Sequence, residues 1–239
     1  MSIPRDLLRL LFPTYCASCG RPLTHAEQTF CLACRLSFPR HLEGAAARNI
    51  IAIREVVAAD AWLTFSHGGN VATLILDAKY HGLSQVLQQL AGAWVAERGA
   101  HLLMPSSEEG EPQLPPVSIV VPVPLSPKKR RSRGYNQSQF VAEGICRTWN
   151  TDKSHHPIHI EADSLIRHSG TTQTHDDSLG RQRNVEGMFS VRHPERLAGK
   201  HVLLVDDVLT TGSTLNECIR TLADNVPDIR ISVFALAIV

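Results

Sequence analysis

Nowhere does this chain run apolar for long enough to cross a bilayer. Its longest uncharged stretches, such as ISVFALAIV at 231–239, are strand-sized, against the ~20 residues a spanning helix needs. A dominant charge is lacking too. Lys and Arg total 24 and Asp and Glu 23, so the net of +1 selects neither nucleic acid nor membrane as a partner; only local clustering can. Aromatics are 5% of the residues, which leaves few rings for stacking on bases. No G-x-x-x-x-G-K-[ST] loop occurs, which excludes a P-loop nucleotide hydrolase. The opening MSIPRDLLRLLFP is leucine-rich, but Arg5, Asp6 and Arg9 break it and no small-residue cleavage site follows, so no secretory leader is evident. A soluble, cytoplasmic protein is expected. In that reducing compartment six cysteines argue for metal or core roles over disulfides.

What is present falls into three regions within 239 residues, a length that suits one large or two small domains. Residues 1–40 hold four of the six cysteines. Residues 41–116 read as a helical hood and linker. Val71, Leu74, Ile75 and Ala78 share one helical face, and Val86, Leu87, Leu90, Ala91 and Trp94 another. MPSSEEGEPQLPP (104–116) is a polar, proline-rich loop. From 117 to 239 strand and helix patterns alternate. VSIVVPVPL (117–125), short strands near 163–166 and 188–191, VLLV (202–205) and the final 231–239 read as strands. Helices lie between them, with Phe140, Val141, Ile145 and Trp149 on one face and Leu215, Cys218, Ile219 and Leu222 on another. Near-continuous apolar strands between helices predict a parallel sheet covered on both faces, an α/β fold.

VLLVDDVLTTGST (202–214) poses the chemical question. An apolar strand leads to two adjacent carboxylates, Asp206 and Asp207, then to a turn rich in hydroxyls with one glycine, then to a helix. In an open parallel sheet, ligands bind beyond the carboxyl ends of the strands. Adjacent carboxylates can accept two vicinal hydroxyls, as on a ribose. Thr210, Thr211, Ser213 and Thr214 with Gly212, at a helix N-terminus, suit a phosphate. One ligand accounts for both halves: a ribose carrying a 5-phosphate. Hydroxyl donors and a divalent cation would relieve the repulsion between the acids. Helix capping alone accounts for the hydroxyls, but not for two acids plus the glycine.

This stretch resembles the phosphoribosyl-diphosphate (PRPP) motif of type I phosphoribosyltransferases. The resemblance implies that Asp206 and Asp207, the expected catalytic pair, hold the ribose hydroxyls. It implies that Thr210, Thr211, Gly212, Ser213 and Thr214 hold the 5-phosphate.

CASC (16–19) and CLAC (31–34) give C-x2-C-x11-C-x2-C. Two residues between cysteines let a tight knuckle aim both thiolates at one ion. Four thiolates form a closed tetrahedral zinc site, and a core-poor segment of 40 residues needs such a staple. Cys16, Cys19, Cys31 and Cys34 are therefore the expected ligands of a structural zinc, with no open position for catalysis. Cys146 and Cys218 lie on apolar helix faces and are expected in the core.

PVPLSPKKRRSRGYNQSQ (122–139) places Lys128, Lys129, Arg130, Arg131 and Arg133 within six residues, suited to a pyrophosphate or a nucleic-acid backbone. A solvated surface loop is the plainer alternative. RHSGTTQTHDDSLGRQRNVEGMF (167–189), with Gln173, Arg181, Arg183 and Asn184, suits a lid over the site or a plain surface loop. Lys79 in LDAKYHG falls at a helix end, where a cation completing the helix dipole is the favoured reading.

The order of these motifs resembles the ComF family, associated with natural competence and DNA uptake. The cysteine knuckles come first, then LDAKYHG, PVPLSPKKRRSRGYNQS, R-x-R-N-V and VDDVLTTGST. The resemblance implies a zinc ribbon fused to a phosphoribosyltransferase-like domain that binds PRPP with Mg2+. Val123, Pro124, Leu125 and Ser126 would form the pyrophosphate loop, flanked by Arg133. Arg181 and Arg183 would belong to the flexible loop. Two functions follow from it: transfer of a phosphoribosyl group to an unknown acceptor, or a non-catalytic PRPP sensor that contacts single-stranded DNA or a competence partner.

Overall fold

The two most apolar runs, at 202–205 and 231–239, form the centre of a five-stranded sheet. The computed structural model describes residues 13–41, 44–51, 53, 55–105, 114–168 and 187–239. Strand order is β1-β7-β6-β2-β3. The strands are β1 (Val56–Thr64), β2 (Ile119–Pro122), β3 (His159–Ile160), β6 (His201–Leu209) and β7 (Arg230–Ile238), and every neighbouring pair is parallel. A second, antiparallel pair joins β4 (Leu165–Arg167) to β5 (Phe189–Val191). The predicted parallel sheet is thus present, but its two short predicted strands near 163–166 and 188–191 stand apart from it. They are three residues each, and alternation alone gives such fragments no partner.

Side chains of β6 and β7 alternate between two cores, as strands buried on both faces require. Val202 and Leu204, with Ile231, Val233 and Ala235, face the long helix Ser213–Asn225 through Leu215, Cys218, Ile219 and Leu222. Leu203 and Val205, with Phe234 and Leu236, face the helices Asn70–Tyr80, Ser84–Trp94 and Gln137–Trp149. In the second core Trp94 stacks on Phe234 at 3.9 Å. The helical faces expected at 71–78, 86–94, 140–149 and 215–222 are buried in these two layers, Phe140 only partly.

Val56–Thr64 is a strand where the sequence reading predicts helix. It pairs along β7 from Val56↔Ile231 to Thr64↔Ile238. Asp60 in its middle hides the pattern. At 2% exposure its carboxylate accepts from Trp94 Nε1 and from Arg98, each at 2.9 Å. A buried acid with two strong donors behaves as part of the core, which periodicity cannot anticipate. Among the described residues no helix is long and apolar enough to cross a membrane.

Candidate functional site

Strand β6 does not end at its acids. It runs two residues further, with Asp206 opposite Ala235, Val208 opposite Ala237 and Leu209 opposite Ile238. Val208 and Leu209 continue the pairing because β7 is long enough to receive them. The turn is correspondingly short, and Gly212 caps the helix Ser213–Asn225 with φ +73°, a left-handed conformation that favours glycine. A Cβ there would come within 2.7 Å of Ile50 Cγ2. A pocket of about 40 Å³ lies against this turn, lined by Asp206, Thr210, Gly212, Ser213 and Thr214 among others. Thr211 does not line it; its hydroxyl shares a 3.1 Å hydrogen bond with Ser213. One acid and the first turn of the helix therefore share a single concavity, with backbone N–H groups that the helix itself cannot satisfy.

The two acids have different partners. Asp207 is ion-paired at 2.8 Å to Lys79 Nζ, from the last turn of the helix Asn70–Tyr80; both side chains are largely buried. Asp206 accepts from Ser138 Oγ at 2.9 Å and from the backbone N–H of Asp207 at 2.8 Å. Burial, and then the neighbouring Asp207 carboxylate, push Asp206 up to about 7. The repulsion read from the sequence is therefore relieved within the protein by Lys79 on one acid and by the raised proton affinity of the other. Sequence reasoning gave Lys79 to the helix dipole and did not single out Ser138. Both lie far from the acids along the chain, and only the stacking of their helices on the sheet brings them there.

Val123, Pro124, Leu125 and Ser126 leave β2 beside the acids, with the Val123 N–H donating to Val205 O at 2.9 Å. Asn136 Nδ2 donates to Val123 O at 2.9 Å and holds this loop. Ser126 caps a short helix, Pro127–Arg133, that carries the basic run. Lys128, Lys129, Arg130 and Arg131 are exposed, and among the described residues none has an acidic partner. Arg133 donates to Gln137 Oε1 at 3.0 Å, and its guanidinium lies 5.5 Å from the centre of the Tyr80 ring. The basic arm is thus next to the end of the helix that delivers Lys79. Gln173, Arg181, Arg183 and Asn184 lie outside the described residues.

At the other end of the chain the sulfurs of Cys16, Cys19, Cys31 and Cys34 lie within 4.8 Å of one another, so the four can hold a metal ion. All four are free thiols. Backbone N–H groups of Cys31 and Cys34 point at the sulfurs of Cys16 and Cys31, at 3.3 and 3.4 Å. Gly20 takes φ +72° just after the first knuckle. Glu27 ties the second knuckle to the loop between the two by accepting from the N–H groups of Leu32 and Thr24. Cys146 and Cys218 are buried on their helices, as expected. A cavity of about 790 Å³ lies between the cysteine segment and the helix Ser84–Trp94, bordered by Arg40, Trp62 and Glu97. Larger than the pocket at the turn, it has neither an acid pair nor a glycine turn, so chemistry rather than size makes the turn the candidate site.

Comparison with known proteins agrees with this geometry. Residues 108–237, more than half of the chain, match the family described as phosphoribosyl transferase domain. DNA utilization protein YhgH of Escherichia coli (strain K12) is 28% identical over 215 residues, which cover 89% of this chain and 79% of YhgH. Competence protein ComFC of Bacillus subtilis (strain 168) is 31% identical over 118 residues, 49% of this chain and 43% of ComFC. Competence protein F of Haemophilus influenzae is 31% identical over 111 residues, 46% of each chain. The parallel sheet that carries the acids and the glycine turn is thus that of the phosphoribosyl transferase domain family, to which this chain belongs as a ComF-family protein.

Proposed function

We propose that the chain binds PRPP at the carboxyl end of β6 and transfers its phosphoribosyl group to an acceptor. The observation that carries this is the pocket shared by Asp206 and the turn Thr210, Gly212, Ser213 and Thr214. The turn N–H groups and hydroxyls, with Thr211 behind them, take the 5-phosphate. Asp206 and Asp207 accept the ribose hydroxyls. Mg2+ bound with PRPP supplies positive charge that both the acids and the pyrophosphate oxygens need. Val123, Pro124, Leu125 and Ser126 present the pyrophosphate loop, with Arg133 beside it and Arg181 and Arg183 as flexible-loop cations.

In the transfer the bond from C1 of the ribose to pyrophosphate oxygen breaks, and its electron pair leaves with the pyrophosphate. A nucleophilic atom of the acceptor forms the new bond to C1, and its proton passes to solvent. Charge therefore grows on the leaving group, where the cations of the arm stabilise it. Lys79 is a positioning residue: its 2.8 Å ion pair holds the Asp207 carboxylate oriented before the sugar arrives. The four cysteines are assigned a structural zinc, since four thiolates leave no open coordination position. The protein is assigned to the cytoplasm, where such thiols stay reduced.

A second reading is favoured by the exposed cations at 128–131, which have no acidic partner among the described residues. On it PRPP is a sensed ligand and the arm contacts single-stranded DNA, in keeping with relatives named for DNA utilization and competence. Titration of Mg-PRPP, followed by pyrophosphate release across nucleobases and small amines, separates the two. Binding with release in the presence of one acceptor supports transfer. Binding without release from any acceptor supports sensing. No binding overturns both.

A further inference from the structure

We propose that Tyr80 is a base-stacking residue for single-stranded DNA, placed at the end of the basic strip formed by Lys128, Lys129, Arg130, Arg131 and Arg133. This rests on the DNA-contacting reading of the arm and adds the side chain that meets a base. Rings are scarce in this chain, and Trp62, Trp94, Trp149 and Phe234 are buried. Tyr80 is 64% exposed, the last residue of its helix, and next in sequence to Lys79. An isolated exposed ring carries little meaning, but this one has a cation over it and anchored residues just before it. The Arg133 guanidinium lies over it at 5.5 Å, within cation–π range. That arginine is itself fixed by Gln137 Oε1 at 3.0 Å. The backbone just before the ring is anchored where the Tyr135 hydroxyl donates to the Ala78 carbonyl and where Lys79 pairs with Asp207.

Single-stranded DNA is the ligand whose chemistry uses both parts. Its phosphates match a strip of cations without acidic partners, and its unstacked bases offer π-faces to an exposed, preorganised ring. Duplex DNA would engage the cations but keeps its bases in the stack. An acidic peptide would likewise use the cations and leave the ring idle. The ring also adjoins the acid site through Lys79, so a strand lying along the arm would pass the mouth of the proposed PRPP pocket.

The test is fluorescence anisotropy on the full chain with labelled oligo-dT of about 12 nucleotides, an abasic strand of equal length, a matched duplex and oligo-rU. Variants are Tyr80→Ala, Tyr80→Phe, and a fourfold change of Lys128, Lys129, Arg130 and Arg131 to Ser. The expected result is that wild type prefers oligo-dT over the abasic strand, the duplex and oligo-rU. Tyr80→Ala should weaken oligo-dT binding about fivefold or more, with Tyr80→Phe close to wild type. The fourfold variant should lose binding to every strand. If oligo-dT and the abasic strand bind alike, or Tyr80→Ala binds as wild type does, the arm stands and the stacking proposal falls. Tighter binding of duplex or oligo-rU overturns the choice of single-stranded DNA. Absence of binding to every strand overturns both the arm and the ring. An unchanged empty-protein melt and a retained Mg-PRPP shift in Tyr80→Ala keep these outcomes separate from folding and from the sugar-phosphate site.

Discussion

Asp206 and Asp207 are neighbours with unlike electrostatic fates. Asp207 is ion-paired to Lys79, while burial and the neighbouring Asp207 carboxylate push Asp206 up to about 7. A carboxyl whose folded value lies above its ordinary 3.8 favours the protonated form in the native state. Its cost to stability is absent below about pH 4, grows as pH rises through about 7, and is constant above that. Asp206→Asn should therefore raise the melting temperature at pH 8 by an amount on the order of 1–2 kcal/mol in stability, with no gain at pH 4. His201 acts in the opposite sense. Burial lowers its affinity for a proton, so its cost appears as pH falls below about 6.5. That contribution is common to both proteins and cancels in the difference between their melting curves from pH 4 to 8. A difference that does not change with pH would show that Asp206 carries no raised proton affinity. If PRPP binds as proposed, the same logic predicts that Mg-PRPP binding by wild type strengthens as pH rises toward 7, since ribose hydroxyls are accepted best by the ionised acid.

Among the elements, β6 and its following helix were legible in the sequence because their signals are local: four apolar residues, two acids, and one glycine at a turn. What was not legible is the continuation of the strand through Leu209, which depends on a long neighbour rather than on β6 itself. The strand Val56–Thr64 was missed for a related reason, because Asp60 is paid for by Trp94 and Arg98 from a distant helix. Helix packing hid in glycines. The helices Ser84–Trp94 and Gln137–Trp149 approach so closely that a Cβ on Gly144 would meet Gln88 O at 2.3 Å and the Gln88 Cα at 2.8 Å. Backbone cannot rotate out of the way, so Gly144→Ala should destabilise the fold by about 1–3 kcal/mol, read as a lower denaturation midpoint with unchanged slope. Gly92→Ala should cost less. Its nearest obstacle, at 2.5 Å, is the Thr148 hydroxyl, which can turn to another rotamer. Equal effects of the two changes would contradict this account of the interface. This layer also positions the site, since Ser138 is on one of the packed helices and Lys79 on the helix before them.

On the scale of the whole molecule, the cysteine segment shares a core with the sheet domain: Cys16, Phe30, Cys31, Cys34 and Phe38 belong to the same cluster as Trp62 and Trp94. Arg40 fastens the two, pairing with Glu97 at 3.1 Å and lying over Trp62 at 5.2 Å. The paired cysteine spacing was readable from the sequence because both knuckles are local, but this joint was not, since Arg40 and Glu97 are more than 50 residues apart. Zinc content should be one per chain in wild type and fall in Cys16→Ser, while Cys146→Ala keeps it. Chelation should lower the melting temperature yet leave the shift produced by Mg-PRPP, because the acid pair is built from other elements. Wild-type protein that melts identically with and without its metal would contradict the structural role. The central claim, that the acids and the glycine turn form a PRPP site, is tested most directly by the melting shift that Mg-PRPP produces in wild type and in Asp206→Asn, Asp207→Asn. Each hydrogen bond to a charged acceptor contributes about 1.5–3 kcal/mol, so losing two should weaken binding tenfold or more. The account expects a clear upward shift for wild type and a much smaller one for the double variant at the same ligand concentration. An equal shift in both proteins would contradict it.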